Sequence, residues 1–160
     1  ALSGLKGVSG RLERVGEVNG GLCIVDYAHK PDALAHVLDA LRPSTSGRLI
    51  CVMGCGGDRD RGKRPLMGRI AVEKADIVIV TDDNPRTEDA AKIRAAVLKG
   101  APDAHEIGDR ALAIETAIQS ADGGDVVRYA PSHADDPRPG RAPRARRLVR
   151  GPAAARGRSV

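Results

Sequence analysis

The sequence predicts an α/β fold: a Rossmann-like, doubly wound domain on a mostly parallel sheet. Three observations predict it. Short apolar, β-branched runs at residues 22–25, 49–53 and 77–80 alternate with stretches of helical periodicity. The connections between them are short, as right-handed strand–helix–strand crossovers require. Glycine and charge collect just after each strand, and the carboxyl ends of strands are where an open parallel sheet builds its ligand sites.

Taken in order, residues 1–9 are polar and read as the remnant of an inter-domain linker, and Gly10-Arg11-Leu12-Glu13 reads as a short charged turn. The strand 22–25 runs into Asp26, and Pro31 opens a helix with Asp32 in its first turn and Leu34, Val37, Leu38 and Leu41 on one face. Pro43 and Gly47 end that helix. The strand 49–53 then enters GCGGDRDRGKR, and a helix is expected over about 65–75. Residues 77–80 form a continuous β-branched run, suited to a strand covered on both faces. Beyond the TDDNPR loop, Thr87 is expected to cap a helix carrying Glu88 and Asp89 in its first turn, with Ile93, Ala96, Val97 and Gly100 as its apolar positions. An extended piece at 105–107 precedes a helix capped by Asp109, and Gly123-Gly124 ends it. A fifth strand starts at Asp125-Val126-Val127. Losing the sheet edge beyond Val127 would leave unpaired backbone groups.

With 160 residues, no Phe or Trp and only Tyr27 and Tyr129, the core must be built of small aliphatics. Cys23, Cys51 and Cys55 are an odd set partly inside strands, which suits reduced thiols of a cytoplasmic protein and argues against a metal site. No run reaches the length of a membrane span, and no secretory signal is evident. The net charge of +5 is uneven: residues 128–160 hold nine Arg and two Asp, a surplus of +7 that leaves −2 for the rest. A nucleic-acid partner would therefore rest on that tail alone.

The loop after residue 53 is neither common phosphate loop. Arg64 stands where a Walker A motif needs Ser or Thr, and Arg59 breaks the G-x-G-x-x-G spacing. A solvated basic turn would explain it if it stood alone. Placed beside Asp26, Tyr27 and His29 on one loop and Asp82, Asp83, Asn84 and Arg86 on another, it makes a charged three-loop edge suited to an anionic or zwitterionic ligand.

GRLE, VDYAHKPDAL, GCGGDRDRGKRPLMG and TDDNPRTE, in that order, resemble the C-terminal domain of the Mur ligases, and most closely its diaminopimelate-adding branch, over about residues 8–127, with the domain itself at 10–127. The resemblance implies an ATP- and Mg²⁺-dependent amide ligation, in which a substrate carboxylate is phosphorylated and then attacked by the amine of an incoming amino acid. It implies meso-diaminopimelate as that amino acid and a UDP-N-acetylmuramoyl-dipeptide as the acceptor, with the phosphate and metal site on a central domain and the protein a cytoplasmic monomer. Arg11 and Asp26 match nucleotide-contacting positions, and His29 shares their loop, where a helix-edge hydrogen bond would also account for it. Arg59 and the run Asp83-Asn84-Pro85-Arg86 match the diaminopimelate site. Chemistry supports this: the far end of diaminopimelate is a zwitterion, and Arg86 can grip its carboxylate while Asp83 faces its ammonium. Asn84-Pro85 equally suits an Asx turn. Arg61, Lys63 and Arg64 read as a solvated cluster.

After Val127 the sequence departs from the family, which continues into a GKGHE-type loop. Residues 128–160 are instead rich in Arg, Pro, Ala and Gly and are expected to be a disordered basic tail. A reading-frame change near Val127 in GC-rich DNA is one origin; a true basic tail for nucleic acid is the rival. No Walker loop is present, so the chain alone is expected to be inactive. The alternatives are a non-catalytic binding module and a folylpolyglutamate-synthetase-like ligase domain, the latter disfavoured by DNPR.

Overall fold

The computed structural model describes residues 11–130, so the expectations for residues 1–9 and for the tail beyond 130 lie outside the described residues. Six strands form one sheet in the order β1-β2-β6-β3-β4-β5. They are β1 (Glu13–Val18), β2 (Gly21–Val25), β3 (Leu49–Met53), β4 (Ile77–Val80), β5 (His105–Glu106) and β6 (Val126–Tyr129). All neighbours pair in parallel except β1 and β2. The helices are α1 (Pro31–Leu41), α2 (Lys63–Lys74), α3 (Ala90–Leu98) and α4 (Arg110–Ser120).

The topology explains how the helices divide. From β2 through β3 and β4 to β5 the chain steps across the sheet in one direction, so crossovers of one hand place α1, α2 and α3 on one face. Leu34, Leu38, Leu41, Met67, Ala71, Ile93 and Val97 pack there on Leu49, Cys51, Met53, Val78 and Val80. The return to β6 reverses direction and puts α4 on the other face, where Ala113, Ile114, Ala117 and Ile118 meet Ile50, Val52, Ile79 and Val127. Every residue of β3 is buried, as a strand covered on both faces must be.

The structure corrects the sequence reading in four places. Glu13–Val18, where no strand is expected, is an edge strand that takes in only Glu13 of the expected turn, and Asn19 (φ 53°) and Gly20 (φ 82°) supply the paired left-handed conformations of a tight hairpin. The strand that begins near Val126 lies between β2 and β3, so it is central and not an edge. It also runs two residues past Val127: Arg128 and Tyr129 pair with both neighbouring strands and are buried, so they belong to the fold and not to the tail. Asp89, not Thr87, caps α3, its side chain accepting a hydrogen bond from Ala91 N at 2.8 Å. The Thr87 hydroxyl is instead engaged by Asp58. No helix among the described residues is long and apolar enough to cross a membrane.

Candidate functional site

The parallel strands β2, β3 and β4 end on the same edge, and the loops that follow them (26–30, 54–62 and 81–89) enclose a cavity of about 1500 Å³. Arg59, Asp83, Asn84, Arg86 and His29, five of the residues singled out in the sequence, line it. Tyr27, Lys63 and Leu66 line it too, as does Ala130, the residue after β6. Pro85, Asp26 and Arg11 do not reach its wall. The three loops thus converge in space, but not every residue on them faces the same volume.

On the first loop, Asp26 is 4 % exposed and its carboxylate is already engaged. Oδ2 accepts from Leu12 N at 2.9 Å and Oδ1 from Ala28 N at 2.8 Å, which ties the loop to the residue next to Arg11. Beneath it lies Arg128, whose Nη2 donates to the carbonyls of Asp26 (3.0 Å) and Ala28 (3.2 Å) and stands 3.8 Å from Asp26 Oδ1. A guanidinium inside a central strand is costly unless its donors are met. Here two loop carbonyls meet one of its nitrogens and fix the backbone before His29. His29 Nδ1 lies 3.2 Å from Tyr27 O, and Lys63 Nζ donates to His29 O at 3.0 Å, bridging to α2.

The second and third loops are joined to each other. Gly57 N donates to Asn84 O at 2.7 Å, an approach so close that a Cβ on Gly57 would stand 1.8 Å from Pro85 O. Glycine is needed there because any side chain would force the loops apart. Asn84 Oδ1 accepts from Arg86 N at 3.2 Å, forming the Asx turn that the sequence allowed, and Arg86 takes a left-handed φ of 51°. Asp83 Oδ1 is buried without a hydrogen-bond partner. Arg59 and Arg86 are exposed, and neither forms an ion pair among the described residues.

Arg64 differs from its expected role. It is 3 % exposed rather than solvated, and it holds Glu88 through two nitrogens at 3.0 and 2.8 Å. That guanidinium, with Asp58 N donating to the same carboxylate, pulls the Glu88 carboxyl down to about 2. Burial pushes the Cys23 and Cys55 thiols up to about 11 and raises Cys51 as well, so all three are inert, protonated core groups. What the sequence reading missed is the Arg64–Glu88 pair; a Glu three residues after Asn-Pro, opposite a loop with four cations, is the signal that pointed to it.

The model of the "Mur ligase, glutamate ligase domain" family matches residues 10–133. The chain belongs to the Mur ligase family. This Mur ligase domain is 62 % identical over 128 residues to the UDP-N-acetylmuramoyl-L-alanyl-D-glutamate–2,6-diaminopimelate ligase of Caulobacter vibrioides, covering 79 % of this chain and 26 % of that protein. The enzyme of the same name from Bradyrhizobium diazoefficiens is 60 % identical, with 81 % and 27 % covered. A solved structure of a ligase of that name superposes with a TM-score of 0.71 at 46 % identity, covering 79 % of this chain and 26 % of that one. A bifunctional folylpolyglutamate synthase/dihydrofolate synthase with Mn, AMPPNP and L-glutamate bound shares the fold at a TM-score of 0.65 and 23 % identity, covering 80 % and 30 %. The Mur ligase domain described here thus spans about a quarter of the length of the curated relatives it matches.

Proposed function

We propose that this chain is the amino-acid-binding domain of a bacterial, cytoplasmic ATP-dependent ligase that adds meso-diaminopimelate to UDP-N-acetylmuramoyl-L-alanyl-D-glutamate. The observation that carries the reading is the pairing in one cavity of two uncommitted arginines, Arg59 and Arg86, with Asp83, whose Oδ1 lacks a partner. Diaminopimelate has a carboxylate beside an ammonium at its far end. Arg86 receives that carboxylate through two nitrogens, and the ammonium sits in the field of the Asp83 carboxylate. Arg59, on the opposite loop, supplies the second cation. Lysine lacks the far carboxylate, so binding it would leave the guanidinium unanswered, at about 2 to 5 kcal/mol.

The nucleotide belongs on the other side of the cavity, by Tyr27, His29 and Lys63. Asp26 and Arg11 act there through the loop's shape, since the Asp26 carboxylate is held by backbone donors. ATP, when bound, supplies the phosphoryl group that activates the acceptor carboxylate. Among the described residues no group of three or more His, Cys, Asp or Glu could hold a metal ion, which fits a Mg²⁺ site carried by the central domain of the family. The chain by itself is expected to bind as a monomer and not to turn over. Calorimetric titration of the purified chain with meso-diaminopimelate and with L-lysine tests the reading. Preference for meso-diaminopimelate that disappears in Arg86→Ala supports it, and equal response to both amino acids refutes it.

A further inference from the structure

We infer that Asp58, Arg64, Thr87 and Glu88 form a polar clasp that sets the spacing of Arg59 and Arg86, and that these four are therefore positioning residues for amino-acid selection. The inference rests on the reading of the cavity given above and adds to it the device that holds the cations in place.

The clasp is seen directly in the contacts. Asp58 immediately precedes Arg59, and Thr87 immediately follows Arg86. Between them, Thr87 Oγ1 donates to Asp58 Oδ1 at 2.6 Å and Thr87 N to Asp58 Oδ2 at 3.2 Å. One residue on, Glu88 Oε1 accepts from Asp58 N at 2.8 Å and from Arg64 Nη2 at 2.8 Å, while Oε2 accepts from Arg64 Nη1 at 3.0 Å. Arg64 Nη2 also reaches Gly56 O at 3.3 Å, so one buried guanidinium holds both loops. Asp58 (φ 52°) and Arg86 (φ 51°) are both left-handed, a conformation that non-glycine residues keep only where the surroundings impose it. The two strained residues are those at which the paired loops turn Arg59 and Arg86 toward one cavity.

Charge explains why such a device is needed. Arg59, Arg61, Lys63, Arg64 and Arg86 crowd two adjoining loops and the first turn of α2 and repel one another. Glu88 binds Arg64 through two nitrogens and lies 3.5 Å from Arg61 Nε, and Asp58 lies in the field of Arg86, so the two carboxylates offset the repulsion without entering the cavity. The cations that remain uncompensated are those facing the ligand. A bidentate pair between an almost fully buried Arg and a Glu fixes angle as well as distance, which a flexible basic loop could not do.

The test uses the full chain and measures affinity for meso-diaminopimelate and for L-lysine in wild type, Thr87→Val, Thr87→Ser and Glu88→Gln, with thermal melting of each. Thr87→Val keeps the β-branched shape at an exposed position and removes only the hydroxyl donor to Asp58, so it keeps the fold. The expected result is a loss of about tenfold in meso-diaminopimelate affinity with lysine binding unchanged, and recovery in Thr87→Ser. Glu88→Gln, which leaves Arg64 buried without an anion, is expected to lose more. Wild-type preference that survives within twofold in both Thr87→Val and Glu88→Gln overturns the clasp while leaving the site intact. A wild-type chain without preference refutes the site reading, and the clasp with it.

Discussion

The two edges of the sheet use the same chemistry to opposite ends. At the edge where the parallel strands begin, the Asp125 and Asp76 carboxylates are held by backbone and arginine donors. Asp125, 4 % exposed, accepts from Arg48 N, from two nitrogens of the Arg48 side chain and from Asp122 N, while Asp76 accepts from Leu49 N and from Arg42. At the edge where the strands end, Asp58 and Glu88 are just as fully engaged, but Arg59 and Arg86 are left over, and they face about 1500 Å³ of open space. Charge with its partners in place closes the fold; charge in excess of its partners lines the cavity proposed to bind the amino acid.

The comparison is broken most severely by Asp125→Ala. Removing it leaves Arg48 Nε and two backbone donors without their acceptor where β3 meets β6, and unfolding free energy should fall by about 2 to 3 kcal/mol in denaturant titration. The folded fraction should keep its preference for meso-diaminopimelate. Acid probes the same residue. Hydrogen bonds from Arg48 lower the Asp125 carboxyl to about 2 from 3.8, so the unfolded chain binds the proton more readily, and stability should decline as pH drops from about 4 to about 2. Glu88 adds to the loss in the same window, and Asp125→Asn should flatten the profile measured by circular dichroism.

Gly57→Ala strikes the other edge. Its Cβ collides with the Pro85 carbonyl, so we expect about 1 to 3 kcal/mol of destabilisation together with loss of ligand preference, read by melting and calorimetry. Arg86→Gly separates the two roles more finely. It removes a ligand cation and relieves a left-handed φ, and should raise stability by about 0.5 kcal/mol while abolishing discrimination. Least of all, Lys74→Ala deletes a solvent-facing bridge to Asp39 and should change stability by less than about 0.5 kcal/mol.

The helices and central strands were legible because their periodicity is strong: Leu34, Leu38 and Leu41 are buried as their spacing requires. Asp109 caps α4 as expected, accepting from Leu112 N. Strand β1 escaped notice because an edge strand with one solvated face is mostly polar, although Asn19-Gly20 carried the hairpin signal. The end of β6 was misjudged because Arg128 begins an arginine-rich composition, and composition does not reveal that two loop carbonyls lie above that side chain. At the site, local sequence placed Arg59 and Arg86 on neighbouring loops. It did not show that Arg64 is buried or that Thr87 leaves the helix cap to Asp89, since both depend on contacts across more than twenty residues of chain.

The position of β6 has one further consequence. A strand that comes last among those described but is inserted between β2 and β3 delivers the residue that follows it, Ala130, to the cavity wall. A change at that end of the strand therefore bears on two properties at once, the closure of the sheet and the shape of the cavity wall.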